Sequence, residues 1–240
     1  MKTNNFIYAD LSTYTPKETI SFYETVFGWK YYQYDDYYTA FIKNTEVTGL
    51  YETPDKFKQM RMPHFWMSYI QVDNVAETVE KARELGGIIE LQSEIASNTK
   101  IALIRDLSGA GFTVYEGDQL TNVRTKNTAN TLIWNELHVS DASKAIPFYE
   151  GIFDWKIIQK TSGLHAVYNS NNEYIADIVE IDNQYKGSYE YWVCTFGVKD
   201  IEITKKLILE NGGTQIAVDA DRMLFSDHSN EAFFYVKEVF

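Results

Sequence analysis

The strongest constraint on this chain is that its two halves repeat one another. The segment Ile7–Lys30, IYADLSTYTPKETISFYETVFGWK, lines up with Ile133–Lys156, IWNELHVSDASKAIPFYEGIFDWK, at an offset of 126, and nine of the twenty-four positions are identical. The same offset pairs Trp66 with Trp192 and Gly86-Gly87 with Gly212-Gly213. Towards the C-terminus the offset falls to 121, pairing Asp106 and Ser108 with Asp227 and Ser229. Five residues are therefore missing from the second copy, between Ile216 and Phe225. Such a repeat must be recognised before any fold is assigned. It predicts domains at 1–118 and 130–240, joined by the polar, aromatic-free stretch 119–129, the composition of a linker. With 240 residues, either one or two cores can be buried.

Each half divides again. Ile7–Leu11 alternates and reads as a strand. Thr15-Pro16-Lys17-Glu18 supplies an N-cap, a proline at the first helical position and a capping-box acid. Ile20, Tyr23, Val26 and Phe27 form the apolar stripe of that helix, and Gly28 ends it. Aromatic strands are expected at about 29–34, 37–43 and 46–51. The pattern then restarts with a strand at 65–72, a capping box at Asn74–Glu77 and a helix stopped by Gly86-Gly87. Strands follow near 88–92, 99–105 and 111–116. The half reads βαβββ twice and the chain βαβββ four times, which is an α+β class. Pro147, inside the first helix of the second half, predicts a kink or a delayed start.

Charge and cysteine content exclude several classes of function. Lys and Arg total 22 against 34 Asp and Glu, a net charge of -12. With no basic stripe, nucleic acid and anionic membrane surfaces are poor partners. No apolar run approaches the ~18 residues of a membrane span, and Met1–Asn5 leads into strand-like sequence without a signal-peptide core. Cys194 is the only cysteine, so an intrachain disulfide and a cysteine zinc site are ruled out. A cytoplasmic location is expected. Aromatics make up 15% of the chain, which suits strands and the walls of a small-molecule pocket.

Four βαβββ modules carrying Phe22-Tyr23-Glu24-Thr25-Val26-Phe27-Gly28-Trp29 and Phe148-Tyr149-Glu150-Gly151-Ile152-Phe153-Asp154-Trp155 resemble the vicinal-oxygen-chelate superfamily. That group includes glyoxalase I, bleomycin-resistance proteins and extradiol dioxygenases. The Gly-Gly pairs and the Asp106-Leu107-Ser108-Gly109 turn fit the same pattern. The resemblance implies two such domains in tandem, with mixed sheets curled around concave cavities and helices on the outer face. It makes the motif aromatics core anchors and leaves function to the cavity lining. Family metal ligands are His, Gln or Glu on the first strand of each module and Glu on closing strands. Those positions here hold Tyr8, Met67, Trp134 and Val193, with Thr113 and Phe234 on the closing strands. None is a competent ligand for a divalent ion, so no metal and no other cofactor is expected. Because both repeats are on one chain, their pairing can be internal, and a monomer or weak homodimer is expected.

Alternation assigns the cavity face. Ile7, Ala9 and Leu11 suit helix packing, while Tyr8, Asp10 and Ser12 face the other way, matched by Trp134, Glu136 and His138 in the second half. Met67, Tyr69 and Thr195 join them from the other first strands, with Tyr191 and Val193 on the same face. Tyr8, Asp10, Ser12, Met67, Tyr69, Trp134, Glu136, His138 and Thr195 are the expected ligand-binding set. Glu136 and His138 are two apart on a strand and suit an acid–base pair. Asp10 is the pseudo-equivalent acid. These three are the catalytic candidates, against a plainer reading of structural carboxylates and a strand-end histidine reaching solvent. His64 and His165 read as surface residues and Cys194 as a small buried hydrophobe. His228 sits between Asp227 and Ser229, but adjacent residues cannot adopt triad geometry. The residues favour a small-molecule-binding protein without a catalytic metal. The alternatives are a metal-independent isomerase, epimerase or lyase using cavity carboxylates, and a metal-dependent glyoxalase-type lyase.

Overall fold

The computed structural model describes residues 4–96 and 98–240; Met1, Lys2 and Thr3 of the N-terminal reading, and Ser97, lie outside them. The first module runs β1 (Phe6–Thr13), α1 (Pro16–Phe27), β2 (Lys30–Tyr34), β3 (Tyr37–Ile42) and β4 (Thr45–Glu52). A short helix α2 (Asp55–Gln59) leads to β5 (Phe65–Gln71), α3 (Val75–Glu84), β6 (Ile88–Ala96), β7 (Thr99–Arg105) and β8 (Gly111–Glu116). The second half repeats the order with β9 (Leu132–Val139), α4 (Ala142–Phe153), β10 (Lys156–Thr161), β11 (Leu164–Tyr168) and β12 (Tyr174–Glu180). After α5 (Asn183–Lys186) come β13 (Tyr191–Val198), α6 (Ile201–Glu210), β14 (Thr214–Val218), β15 (Arg222–Ser226) and β16 (Phe233–Glu238). Among the described residues no helix is long and apolar enough to cross a membrane.

Local chemistry explains most boundaries. Gly28, at φ +70°, closes α1 in the left-handed region that glycine tolerates, and its N–H returns to the Glu24 carbonyl. Asn74 caps α3 by accepting the Glu77 N–H at 3.1 Å. Thr15 occupies the cap position of α1, but its hydroxyl makes no capping bond. Thr13 Oγ1 accepts the Thr15 N–H instead, at 3.2 Å. Helix α4 starts directly after its Asp141 cap and continues through Pro147, so the proline does not delay it.

The strands form two eight-stranded mixed sheets, ordered β2-β3-β4-β1-β5-β8-β7-β6 and β10-β11-β12-β9-β13-β16-β15-β14. The fold is α+β with four βαβββ modules, as the repeat predicts. The five missing residues fall in the β14–β15 hairpin, where β14 has five residues against nine in β6. One extra residue compensates in the next turn. Asp106 N–H reaches the Ala110 carbonyl, whereas Asp227 N–H reaches that of Ala232. The insertion shifts the last strand by one. Thr113 stands opposite Tyr69, but Tyr235, not Phe234, stands opposite Thr195. Phe234 is buried in the apolar core, so the closing-strand position expected at Phe234 belongs to Tyr235.

Packing divides the chain into two compact units, each mixing both sequence halves. The first comprises the stretch ending at Tyr8, 68–122 and 135–193. Its core includes Val79, Ile104, Phe112, Phe148, Tyr149, Phe153 and Trp192. The second comprises 9–67, 123–134 and 194–240, with a core that includes Phe22, Tyr23, Phe27, Trp29, Trp66, Phe196 and Phe234. A polar relay runs through each core. In the first unit Trp192 Nε1 donates to Tyr149 Oη at 2.9 Å, and Tyr149 Oη donates to Asp106 Oδ2 at 3.0 Å. Asp106 Oδ1 also accepts the N–H groups of Ser108 and Ala110. In the second unit Trp66 Nε1 donates to Tyr23 Oη at 3.1 Å, and Tyr23 Oη lies 3.5 Å from Asp227 Oδ2. The motif tryptophans also match. Trp29 Nε1 donates to the Asn130 carbonyl at 2.8 Å and Trp155 Nε1 to that of Asn4 at 2.9 Å.

Two predictions follow from the relays. Tyr149→Phe strands a buried indole N–H and removes one donor from a buried carboxylate. It should cost about 1–3 kcal/mol, the penalty range for an unsatisfied buried group. Tyr23→Phe should cost less, because its bond to Asp227 is longer. Urea unfolding of both variants checks the order, and equal or reversed losses would contradict it. Burial also raises the carboxyl of Asp106 above its ordinary 3.8, against the hydrogen bonds that lower it. A raised folded-state pKa stabilises fully below the unfolded value and is lost as pH rises through the folded one. The stability difference between wild type and Asp106→Asn should therefore shift against wild type as pH rises from about 4. A flat or opposite slope would contradict the assignment.

Candidate functional site

Along β9, Leu137 and Val139 enter the apolar core, which turns the alternating Trp134, Glu136 and His138 to the other side of the sheet. In the first unit Glu136 and His138 meet. His138 Nε2 lies 2.8 Å from Glu136 Oε1, and both side chains are almost fully buried, at 0% and 1% exposure. A carboxylate only accepts, so with a neutral ring Nε2 carries the proton and Nδ1 accepts. Tyr191 Oη is 3.3 Å from Nδ1 and completes a line from carboxylate to imidazole to phenol. The solvent-reaching alternative for His138 does not hold.

Strand pairing adds a second acid. β12 lies parallel to β9 and sets Asp177 opposite Glu136. Tyr174 Oη donates to Asp177 Oδ1 at 2.6 Å. Burial, followed by the charge of Glu136, pushes the Tyr191 hydroxyl well above the usual phenol range. Burial and the hydrogen bond to Asp177 do the same at Tyr174. Both phenols stay protonated donors at neutral pH. Also in this unit, the Tyr8 and Tyr69 rings meet edge to face at 5.7 Å.

The second unit holds the matching acid of the first half in a different setting. Asp10 stands opposite Gly49 on the parallel strand β4, where the second half has Asp177. Tyr37 Oη donates to Asp10 Oδ2 at 3.0 Å. A Cβ on Gly49 would sit 1.8 Å from that hydroxyl, so glycine is what lets the phenol cross. Ser12 Oγ and Thr53 Oγ1 are 2.9 Å apart. Burial, then the charge of Asp10, raises the Tyr51 hydroxyl above the phenol range. Met67 is buried. Arg124 lies over the Trp134 ring at 4.9 Å and Arg222 over Tyr235 at 4.1 Å. Thr195, opposite Tyr235, is 1% exposed, and its hydroxyl has no hydrogen-bond partner among the described residues.

Other histidines differ from expectation. His64 is buried, with Nδ1 3.0 Å from Thr13 Oγ1, and His165 is half-buried. Cys194 is buried. Two open surface recesses, of about 350 and 400 Å³, are lined by Ser140, Glu180 and Asn183 and by Lys17, Phe22 and His228 respectively. Neither includes a residue of the expected binding set. Among the described residues no group of three or more His, Cys, Asp and Glu is placed to hold a metal ion. Alternation along the first strands does not reach Asp177, Tyr174 or Tyr37, which lie on β12 and β3. For Tyr191 alternation gives the face, and the structure adds the contact with His138. Alternation identifies a face but not which residues stand opposite one another across strands.

The family model for the Glyoxalase/Bleomycin resistance protein/Dioxygenase superfamily matches residues 7–114. A protein named "Putative glyoxylase CFP32", from Mycobacterium bovis and from Mycobacterium tuberculosis, is 26% identical over 227 residues, 89% of this chain and 85% of the relative. Among solved structures, the 2,3-dioxygenase LapB of Pseudomonas sp. KL28 superposes with a TM-score of 0.63 at 11% identity, covering 98% of this chain and 91% of its own. The Mn(II)-bound glyoxalase of Novosphingobium aromaticivorans gives 0.63 at 10% identity, covering 99% and 82%. At these identities the structures speak for the fold. Residues 7–114 thus match the glyoxalase/bleomycin resistance protein/dioxygenase superfamily, and the second half repeats their βαβββ modules.

Proposed function

We propose that this chain binds a small organic molecule in aromatic-lined concave cavities on the helix-free faces of its sheets and does so without a catalytic divalent metal. The observation that carries this reading is the donor set at the six family ligand positions: Tyr8, Met67, Trp134, Val193, Thr113 and Tyr235. Thioether, indole and alkyl groups do not hold a hard or borderline divalent cation, and a phenol or a hydroxyl alone does not replace its water. The residues do not fit the metal that the glyoxalase and dioxygenase likenesses would suggest. They do fit a ligand pocket, with aromatic walls and a few polar groups. The binding set remains Tyr8, Asp10, Ser12, Met67, Tyr69, Trp134, Glu136, His138 and Thr195.

The 2.8 Å bond between Glu136 and His138 favours a second reading, in which the chain is a metal-independent isomerase, epimerase or lyase. Tyr191 then belongs with the dyad, because it is less buried than either partner. Domains at 1–118 and 130–240, a cytoplasmic location and a monomer or weak homodimer complete the proposal.

Calorimetry on protein purified without chelator tests the metal. EDTA should leave the thermal midpoint unchanged, and zinc, nickel or manganese should give no saturable rise, since a native-state ligand stabilises by RT ln(1 + [L]/Kd). Stoichiometric metal, or a midpoint that falls by several degrees with EDTA, would overturn the reading. Turnover of hemithioacetals or catechols in the presence of chelator would favour the enzyme. Glu136→Gln should then reduce it by about 10²–10⁴-fold, the usual worth of a general acid or base.

A further inference from the structure

Helices α1 and α4 occupy matching places in the repeat, but what surrounds their first turns differs. Asp141 caps α4 by accepting the Ser143 N–H at 3.0 Å. Thr15, at the same place, leaves α1 without a side-chain cap. Its hydroxyl lies 3.4 Å from His228 Nε2 instead. His228 stands where the other copy has Leu107, and Thr13, Thr19 and His64 stand where it has Val139, Ala145 and Glu190.

These exchanges build a polar cluster within the second unit. Thr13 Oγ1 lies 2.8 Å from Thr19 Oγ1 and 3.0 Å from His64 Nδ1. Thr13, Thr19 and His64 are all buried, and so is Asp227. Replacing a buried hydrogen-bonded pair by apolar groups of similar shape is near neutral or stabilising. The other copy is built with valine and alanine at the two threonine positions, so packing alone does not call for this cluster.

His228 stands where the cluster meets solvent. Its side chain is 20% exposed. With Lys17, Glu18, Ser21, Phe22 and Asn211 it lines the open recess of about 400 Å³, which is large enough for a small organic molecule. Its Nδ1 is buried without a hydrogen-bond partner among the described residues, 3.8 Å from Asp227 Oδ2. The sequence neighbour Ser229 turns its hydroxyl to Asp227 and not to the ring. A hydroxyl at one ring nitrogen and a carboxylate charge beside the other is the arrangement that activates an oxygen nucleophile. With Nδ1 protonated and facing Asp227, Nε2 accepts from Thr15.

The geometry points to a separate catalytic centre at this recess, where Thr15 is the nucleophile and His228 the general base for acyl transfer from a small ester. Thr15 Oγ bonds to the ester carbonyl carbon as its proton passes to His228 Nε2. The bond from that carbon to the alcohol oxygen then breaks, and the departing oxygen takes the proton. Water adds to the acyl carbon, its proton passing to the same nitrogen. The bond to Thr15 Oγ breaks, and Oγ recovers the proton as the acid leaves. Asp227 is a positioning residue, whose charge favours the tautomer protonated at Nδ1 and the imidazolium formed in each step. None of these residues belongs to the set proposed for the sheet faces, so the two readings are independent.

Incubation of the whole chain with p-nitrophenyl acetate tests the inference, read by nitrophenol release and by mass mapping of the acetyl group. The acetyl should map to Thr15 Oγ. Thr15→Asp and His228→Leu should each reduce release by about 10²-fold or more, the low end of what a positioned base contributes. Both substitutions introduce the side chain that the other copy carries at that place, and circular dichroism should show both variants folded. Thr15→Ser should keep the release and the acetyl at position 15. Asp227→Asn should lower the rate at saturating ester and leave the half-saturating concentration unchanged. The site of acetylation is read on the unaltered chain and does not depend on how the variants fold. Acetyl on Lys17 alone, release unaffected by Thr15→Asp or His228→Leu, or no release above that of buffer overturns the inference. A loss in Asp227→Asn confined to the half-saturating concentration overturns the role given to Asp227.

Discussion

The buried chain from indole N–H to phenol to carboxylate is the interaction on which the rest of this fold depends. Tyr149 Oη accepts from Trp192 while donating its own hydrogen bond to Asp106, and Asp106 is in turn fixed by the turn amides of Ser108 and Ala110. The tyrosine comes from a helix of one sequence half and the aspartate from a turn of the other. The Tyr23, Trp66 and Asp227 set repeats the arrangement with the halves exchanged. Backbone ladders therefore run within each half, while each core is built from both. This explains the identities between the repeats. Phe22-Tyr23 and Phe148-Tyr149, Trp29 and Trp155, and Trp66 and Trp192 all serve this packing.

With one face of each sheet committed to helices, the other face is open to change, and there the repeats have diverged. Tyr8 answers to Trp134, Asp10 to Glu136, Ser12 to His138 and Gly49 to Asp177. In the first half a single acid is held by Tyr37 across a glycine that cannot carry a side chain. In the second, two acids stand opposite one another with an imidazole against one of them. The polar groups on this face differ between the copies, while the scaffold is kept in both.

Much of this was legible in the residues. Offset, alternation, the glycine stop at Gly28 and the Asn74 cap place the elements, because each depends on neighbours in sequence. Partners distant in sequence were not legible. Thr15 has the right cap chemistry, but its hydroxyl makes no capping bond and lies 3.4 Å from His228 Nε2, far away in sequence. The extra residue in the 227–232 turn moved the closing strand by one, which put Tyr235 rather than Phe234 opposite Thr195. His64 reads as a surface residue until its contact with Thr13, fifty-one positions away, is known. The pairing of β12 with β9 that brings in Asp177 leaves no mark on either segment.

The cross-built cores set the most direct test. Residues 1–118 and 130–240 can be produced separately and examined by near-ultraviolet circular dichroism and urea unfolding, alone and mixed. If each core needs both halves, residues 1–118 as a monomer should show neither fixed aromatic signals nor a cooperative transition, and mixing should restore both. A monomeric 1–118 that unfolds cooperatively with its aromatic signals intact would contradict the account.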